Sequence, residues 1–312
     1  MLNTSRNMSD TTHVTPAIVR IFIHKLPAFC MAWTGTDGTG ALNTAYSFDL
    51  GKSWKSNPPL WKETSHAGPA LAYQNEKLFM AWTGSNPGHN LNIMQSADGG
   101  ATWSGKHILN DSSIAAPALI SYMGVLIMAW TGTDGKRHLN IASSKDEGRT
   151  WTKVPVGDLS LGAPSLAQYT SGAGFSHLFL AFTGTDNHLF VKSCEGLKLE
   201  DFSHPDHNRI AETSSYGPSL AVMDSGEGKD IFLAIAWTGQ DARHSLNVAY
   251  SLQGFSPFGN KEVSPHDTSN AGPSIVKNSN YPAENDQLGW VWSGSNGGHL
   301  NFAPGTALGF KA

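Results

Sequence analysis

Charged side chains are scarce in this sequence. They make up 15% of its 312 residues, with 21 Lys and Arg against 25 Asp and Glu and a net charge of −4. No block of like charges stands out, and such blocks are typical of proteins that bind nucleic acid or anionic membrane surfaces. We therefore expect neither of these as a partner.

Cysteines and long apolar runs are also scarce. The two cysteines, Cys30 and Cys194, lie at unrelated positions, which favours reduced thiols over a disulfide. The longest apolar runs, such as residues 233–237, are too short to span a bilayer. Residues 1–12 are polar and lack the apolar centre of a secretory signal. We expect no membrane insertion, and either a cytoplasmic protein or one exported without a classical signal peptide.

Glycine and proline are plentiful, with 33 and 16 copies, and no stretch carries apolar residues at helical spacing over three turns. This composition is typical of many short strands joined by tight turns. A phrase of the type Ala-Trp-Thr-Gly recurs six times. Its aromatic residues are Trp33, Trp82, Trp130, Phe182, Trp237 and Trp292. Upstream prolines recur with it at Pro16, Pro69, Pro117, Pro164, Pro218 and Pro273.

Each repeat can be read as four strands. The second copy shows them as residues 69–73, 77–82, 91–96 and 102–109, separated by turn residues. Six units of four strands predict an all-β protein with one six-bladed β-propeller domain over residues 1–312. The approximate repeats are 10–62, 63–110, 111–157, 158–211, 212–266, and 267–312 together with 1–9.

The two ends of the chain are expected to complete one blade. The last copy stops after its third strand, and residues 10–12 occupy the place where other copies end their fourth strand. Residues 1–9 should therefore supply the outer strand of the sixth blade. The entropic cost of closing this long loop is modest because it grows only logarithmically with length.

Three turns between the third and fourth strands share the pattern Ser-x-Asp-x-Gly-x-(Ser/Thr)-Trp. They contain Ser47, Asp49, Gly51 and Trp54, then Ser96, Asp98, Gly100 and Trp103, then Ser144, Asp146, Gly148 and Trp151. This pattern resembles the Asp-box, or BNR repeat, of sialidase-type propellers. We expect the Asp to bind its own turn, the Gly to take a positive φ and the Trp to pack between sheets. The resemblance implies a fold, since these boxes lie opposite the active site in that family.

Two sets of polar loops are expected to share the end where propellers usually bind ligands. The connection between strands two and three carries an acid or amide, then a histidine, then an asparagine. The loop that crosses to the next blade begins with a carboxylate. The acid or amide residues are Asp37, Asn86, Asp134, Asp186, Asp241 and Asn296. The histidines are His89, His138, His188, His244 and His299. The asparagines are Asn43, Asn92, Asn140, Asn247 and Asn301, and the fourth copy has Phe190 there. The carboxylates are Asp10, Glu63, Asp111, Asp158, Glu212 and Asp267.

These repeated groups allow two interpretations. In one, they satisfy buried backbone groups and join neighbouring blades. In the other, they form a shallow pocket at each junction, together with the repeat tryptophan, that binds glycans or small sugars. Like residues at equivalent positions favour a multivalent binder over a single catalytic site.

Other chemistries find less support. The histidines lie on separate blades without metal-ligand spacing, so we expect no metal and no cofactor. The resemblance also implies a sialidase alternative, in which three arginines hold the substrate carboxylate. Only six arginines are present, and only Arg20 lies roughly where the first family arginine falls. We name no catalytic residue, and keep a glycoside hydrolase and a protein-binding scaffold as alternatives.

One position does vary among the copies, four residues after each repeat proline. Its residues are Arg20, Tyr73, Ser121, Gln168, Val222 and Lys277. We expect this position to line the central channel, where a single asymmetric site would have to lie.

Overall fold

The computed structural model describes residues 6–170, 175–204, 208–224, 231–252, 257–278 and 287–306. These residues form six antiparallel sheets, and their only helix is a short 3-10 helix at Leu199–Ser203. The sheets follow one another along the chain around a central channel. The prediction of a six-bladed propeller with four strands per blade is confirmed.

The strand order within each blade runs from the channel outward. Blade one contains β2 (Ala17–Ile23), β3 (Leu26–Thr34), β4 (Ala41–Ser47) and a fourth strand in two pieces, β5 (Lys55–Ser56) and β6 (Leu60–Thr64). Blade two contains β7 (Ala70–Gln74), β8 (Lys77–Thr83), β9 (Asn90–Ser96) and β10 (Ser104–Ser112). Blade three contains β11 (Ala118–Tyr122), β12 (Val125–Thr131), β13 (His138–Ser144) and β14 (Thr152–Leu159).

The second half of the chain repeats this plan. Blade four contains β15 (Ser165–Thr170), β16 (Ser176–Thr183), β17 (His188–Glu195) and β18 (Asn208–Thr213). Blade five contains β19 (Ser219–Asp224), β20 (Ile231–Thr238), β21 (Ser245–Leu252) and β22 (Gly259–Thr268). Blade six contains β23 (Ser274–Lys277), β24 (Gln287–Ser293), β25 (His299–Thr306) and, from the other end of the chain, β1 (Arg6–Thr11).

Strand β1 closes the ring as predicted. It pairs antiparallel with β25, with Asn7 opposite Asn301 and Thr11 opposite His299. The Thr12 amide then donates to the Gly298 carbonyl at 2.8 Å. Residues 1–5 of the predicted strand lie outside the described residues. Because this pairing covers the outer edge of β25, the last blade is not left with an open third strand.

The core lies between neighbouring blades. Second strands are mostly apolar because both of their faces are covered; every residue of β12 is buried. The tryptophans of the three similar turns pack in these interfaces, Trp54 between blades six and one, Trp103 between blades one and two, and Trp151 between blades two and three. The same turns show the expected hydrogen bonds, since Asp49 Oδ1 accepts from the Ser53 amide at 2.8 Å.

The sequence favoured reduced thiols for the two cysteines, and the structure agrees. Cys30 and Cys194 are buried free thiols, and burial raises the pKa of each to about 12. Within the described ranges, no helix has the length and apolar character needed to cross a membrane.

Candidate functional site

The predicted site loops meet at one end of the propeller, which we call the junction face. It carries the connections between strands two and three, here called two-three loops, and the crossing loops that lead to the next blade. At three junctions the crossing loop bridges to the following two-three loop, between Ser65 and Gly84, Ser113 and Gly132, and Ser269 and Gly294. The expectation that both loop sets share one end is therefore confirmed.

Buried hydroxyls join the blades on this face. In copies one to five, the Thr that follows the repeat aromatic donates to a carbonyl of the next crossing loop; Thr34 donates to Ala67 at 2.7 Å and Thr183 to Tyr216 at 2.7 Å. The crossing-loop serines return bonds to the blade core, as Ser113 does to the Thr131 carbonyl at 3.0 Å. These contacts support the structural interpretation for the hydroxyls.

The asparagines and most acids of the two-three loops bind within their own loop. The side-chain amide of each repeat Asn donates two residues back to the carbonyl at 2.7–2.9 Å, in Asn43, Asn92, Asn140, Asn247 and Asn301. Asp37 accepts from Thr39, and Asp241 accepts from Ser245. Asn86 donates to Asn90 Oδ1 at 2.7 Å, and Asn296 is exposed. Holding the loop in shape is thus one role of this set.

The histidines occupy two different positions, although the sequence suggested one. His89 and His244 end their loops in the left-handed region, with φ of 48° and 55°. His138, His188 and His299 come one residue later, as the first residues of third strands. One residue separates His89 and His244 from the following Leu, whereas the other three histidines directly precede it. The histidine therefore shifts by one place between copies. The five histidines therefore do not share one backbone geometry.

Each histidine also has its own neighbours. His138 Nδ1 lies 2.8 Å from Asp134 Oδ1, and His188 Nδ1 lies 3.0 Å from an Arg209 nitrogen. Desolvation, the largest effect, raises the pKa of Asp134, but hydrogen bonds from His138 and Lys136 outweigh it and lower the pKa. His244 contacts Asn270, and the His89 ring lies 4.2 Å from the His66 ring.

The repeat tryptophans are core residues. Trp82, Trp130 and Trp237 are each 1% exposed, Trp33 and Trp292 are 2% exposed, and so is Phe182. These rings are therefore almost fully buried and do not present an exposed face to a sugar. In blade four the covering group is Phe190, stacked on Phe182 with ring centroids 5.3 Å apart.

In three blades a lysine covers the ring, and the sequence interpretation missed it. Lys106, Lys153 and Lys261, on fourth strands, place their ammonium groups 5.5, 5.0 and 5.5 Å from the ring centroids of Trp82, Trp130 and Trp237. Each lysine also forms an ion pair with one of the predicted carboxylates, which the structure places near the end of the preceding blade's fourth strand and not at the start of the crossing loop. The pairs are Lys106–Glu63 at 2.5 Å, Lys153–Asp111 at 2.8 Å and Lys261–Glu212 at 2.5 Å. Three junctions thus carry a carboxylate, an ammonium and an indole in contact.

The other three junctions depart from this arrangement. Asp158 pairs with Lys192, which comes from the third strand, has a side chain only 3% exposed, and also donates to the Phe202 and His204 carbonyls at 2.9 and 2.8 Å. Asp267 accepts from Ser264 at 2.8 Å. Burial raises the pKa of Asp10, and no lysine is described beside it. Asp158 and Asp267 are thus held by contacts within the fold.

The junction between blades one and two opens into a cleft of about 270 Å³. Its lining includes predicted residues and the unpredicted lysine: Lys62, Glu63, Thr64, Trp82, Gly84, Ser85, Asn86, Asn90, Asn92, Lys106 and Ile108. The described ion pair uses Glu63 Oε2 and one ammonium proton of Lys106, so Glu63 Oε1 and the other two protons can bind a ligand. Ile108, 57% exposed, supplies an apolar wall. The cleft could take a small polar molecule with an apolar side.

The central channel holds a second cavity of about 420 Å³. All six variable residues line it, as expected: Arg20, Tyr73, Ser121, Gln168, Val222 and Lys277. No carboxylate occurs among the described lining residues. A glycosidase of the usual type needs two carboxyl groups about 5–10 Å apart, and this lining supplies none. Nor does the described part of the chain bring three His, Cys, Asp or Glu side chains together around a metal position.

Comparisons with known proteins relate the chain to others through its fold. No protein-family model and no curated protein sequence matches it. Among solved structures, it is similar to an α-L-arabinofuranosidase from Fusarium graminearum in complex with an iminosugar inhibitor, with TM-score 0.70, 12% identity, and 97% of this chain and 98% of that chain covered. It is also similar to the Aleuria aurantia lectin in complex with α-methyl-L-fucoside, with TM-score 0.64, 11% identity, and 98% and 95% covered.

Two sialidases are larger neighbours. The Trypanosoma rangeli sialidase in complex with DANA matches with TM-score 0.62, 11% identity and 99% of this chain covered. This chain spans 60% of that sialidase chain and 66% of a Hadza microbial sialidase, which matches with TM-score 0.59 and 16% identity over 95% of this chain. At such identities the likeness shows the fold alone, a sialidase-like β-propeller.

Proposed function

We propose that this protein is a multivalent carbohydrate-binding protein whose sites lie at blade junctions of the junction face. The observation that carries the proposal is the exposed lysine–carboxylate pair beside the cleft of blades one and two. The same pair recurs at the junctions of blades two and three and of blades four and five. Lys106, Lys153 and Lys261 are 39–46% exposed, whereas Lys192 is 3% exposed, so a ligand can reach these three ammonium groups.

The pair suits neighbouring hydroxyls of a sugar. A carboxylate accepts hydrogen bonds from hydroxyls, while an ammonium donates to their oxygens. Because Glu63 and Lys106 lie in contact, two adjacent hydroxyls could engage both groups, with charge-assisted bonds stronger than neutral ones. Ile108 would face the apolar side of the ring, since Trp82 lies under Lys106. Neighbouring structures include a lectin in complex with a methyl fucoside and enzymes that act on sugars, which is compatible with this class of ligand.

The geometry reduces the expected number of sites to three. The junctions that lack an exposed lysine should not bind: the carboxylate at blades three and four is Asp158, at blades five and six Asp267, and at blades six and one Asp10. Calorimetric titration with a monosaccharide identified by a glycan array should give a stoichiometry near three. Lys106→Met, Lys153→Met and Lys261→Met should each remove one site.

Lys77→Met is the matched control. Lys77 also forms a cross-blade ion pair, with Glu147 at 2.8 Å, but at the opposite end of the propeller, and its loss should leave the stoichiometry unchanged. Failure of every sugar on the array to bind, or an unchanged stoichiometry in all three junction variants, would refute the proposal.

We also propose that the turns at Asp49, Asp98 and Asp146 are Asp-boxes of the sialidase type. Support comes from their shared geometry: each Asp accepts from the amide and the hydroxyl of the residue four positions later. Glycoside hydrolysis has no comparable support. The cleft of blades one and two contains a single carboxylate, Glu63, and the described channel lining contains none.

A further inference from the structure

Exposed apolar side chains are concentrated at the end of the propeller opposite the junction face. We call this end the turn face; it carries the connections between strands one and two and between strands three and four. Of eleven large apolar side chains exposed among the described residues, eight lie there. They are Phe22, Leu26, Phe48, Leu50, Met123, Phe175, Leu197 and Leu252, each 39–61% exposed. The other three, Trp61, Ile108 and Val263, lie on fourth strands.

Seven of the eight side chains form two groups on opposite sides of the channel. Blade one carries Phe22, Leu26, Phe48 and Leu50, while blades three and four carry Met123, Phe175 and Leu197. The eighth, Leu252, lies on blade five. In a ring of six blades, blade four lies opposite blade one. Apolar patches of this extent on a soluble protein mark interaction surfaces.

Blades one and four carry charges of opposite sign at this face. Blade one exposes Lys25, Lys52 and Lys55 near its turns, and its one nearby carboxylate, Asp49, is held inside its own turn. Blade four exposes Glu195, Glu200 and Lys198, and Lys198 pairs with Glu195 at 3.8 Å, which leaves one net negative charge among the three. Blade one is therefore apolar and basic at this face and blade four is apolar and acidic, whereas the turn between the third and fourth strands of blade three exposes Lys145 and Arg149.

From this arrangement we infer that the turn face binds a second copy of this chain in a twofold dimer. A twofold axis parallel to the face and perpendicular to the line between blades one and four brings blade one of each copy against blade four of the other. Such an interface is self-complementary, as a twofold axis requires. Lys25 and Lys55 of one copy then face Glu195 and Glu200 of the other, and the apolar groups meet between them.

The available area suits a stable dimer. The eight side chains together expose on the order of 800 Å², close to what each partner contributes to an interface of standard size. The dimer leaves both junction faces free and pointing away from each other. Its existence does not depend on what the junction face binds.

A charge exchange tests the pairing of blades one and four. Lys25→Glu with Lys55→Glu makes both sides of the face acidic, and Glu195→Lys with Glu200→Lys makes both basic. Sedimentation velocity at micromolar concentration should show the wild type at twice the mass of one chain, and each double variant alone as a monomer. An equimolar mixture of the two variants should recover the dimer, since each interface half then pairs opposite charges.

Substitution of an apolar residue provides an independent measurement. Leu26→Ser should weaken the dimer at least tenfold, while Val263→Ser, similarly exposed on a fourth strand, should not. A wild type that is monomeric throughout would overturn the inference. So would a dimer that survives Leu26→Ser and both charge variants, since it would use another surface. A monomer that co-sediments with phosphatidylcholine vesicles would assign the apolar face to lipid instead.

Discussion

The buried threonine of each Trp-Thr-Gly phrase bonds one blade to the next, and the copies differ in what else supports that bond. Among the described residues, Thr183 is the one side chain that donates to the Tyr216 carbonyl, at 2.7 Å. The Gly162 carbonyl, in contrast, accepts from both Thr131 at 2.6 Å and Ser160 at 3.1 Å. We expect Thr183→Val to lower the free energy of unfolding by about 1–3 kcal/mol, because a carbonyl loses its partner. Thr131→Val should lower the free energy of unfolding by less, since Ser160 can still donate to the Gly162 carbonyl. Urea denaturation of the two variants measures the difference, and Thr185→Val, at an exposed position, is the control.

Two lysines that pair with the repeated carboxylates should differ sharply in how much their substitution lowers the free energy of unfolding. Lys192→Met leaves Asp158 and two carbonyls without the buried ammonium, so we expect a loss of about 3–5 kcal/mol in unfolding free energy. Lys106→Met breaks a pair whose lysine is 39% exposed, and should cost at most about 1 kcal/mol. Thermal and urea unfolding measure both losses. Equal losses in Lys192→Met and Lys106→Met would contradict the division into structural and binding junctions.

The junction lysines show why the site was predicted only in part. Glu63, Asp111 and Glu212 could be found because each directly precedes the repeated hydroxyl residues that lead into a crossing loop. Their partners lie 42–49 residues away in the chain and at no fixed distance from the turn tryptophan. Lys106 follows Trp103 by three residues, whereas Lys153 follows Trp151 by two. Only the register of the fourth strand brings each lysine over its indole.

At the scale of turns, the Ser-x-Asp-x-Gly pattern should make part of the stability pH-dependent. Desolvation, the largest effect, raises the pKa of Asp49, but hydrogen bonds from Ser53 and Ser47 outweigh it and lower the pKa to about 2. A carboxyl with a lowered pKa in the folded state stabilises the fold above its unfolded pKa. That contribution is lost as pH falls from about 4 towards about 2.

The stability difference between the wild type and Asp49→Asn should therefore be largest at neutral pH and shrink across that acid range. Urea unfolding at a series of pH values measures it. Asp146→Asn should behave alike, because hydrogen bonds from Thr150 and Ser144 also lower the pKa of Asp146 to about 2. A difference that stays constant with pH would mean that the carboxylate charge is not what the turn uses.

Strand β1 permits a test of ring closure with a built-in control. Deleting residues 1–9 removes most of β1 and uncovers the edge of β25, so the melting temperature should fall by roughly 5–10 °C. Deleting residues 1–5 leaves the described strand intact and should change it little. Equal effects of the two deletions would show that the pairing of Arg6–Thr11 does not close the ring.

Strands were more predictable than the irregularities inside them. The period of the repeat and its turn residues placed the strands of blade two within three residues of the observed bounds. Nothing in the sequence predicted the register shifts between third and fourth strands. Leu60 and Thr64 face Leu42 and Ala41, whereas in blade two Ile108 and Ser112 face Asn92 and Asn90. Blade one thus has one extra residue in its bulge, which includes Trp61, 65% exposed.

At the scale of the whole molecule, symmetry is retained in one place and lost in another. The junctions repeat a carboxylate and an aromatic in every blade, while the channel presents six different side chains at one position. Repetition on a single face is what a multivalent surface needs, because the second and third contacts become intramolecular once the first has formed. The channel has the asymmetry of a single site but, in its described lining, no carboxylate.

The last prediction concerns avidity on a sugar-coated surface. Each junction alone should bind weakly, whereas three sites on one face should raise the overall affinity by about 10²–10⁴ when the surface is dense enough to engage them together. We therefore expect Lys106→Met to lower the solution stoichiometry by only one site, but to shorten retention on a dense surface severalfold. The triple variant at Lys106, Lys153 and Lys261 should not be retained.

On a sparse surface the wild type and Lys106→Met should dissociate alike, because each molecule then holds one sugar. Surface plasmon resonance at two ligand densities measures both cases, and the Lys77→Met control should match the wild type at each. Retention that does not depend on density would show that the sites act singly, and the multivalent interpretation would then be wrong even if sugar binding itself were real.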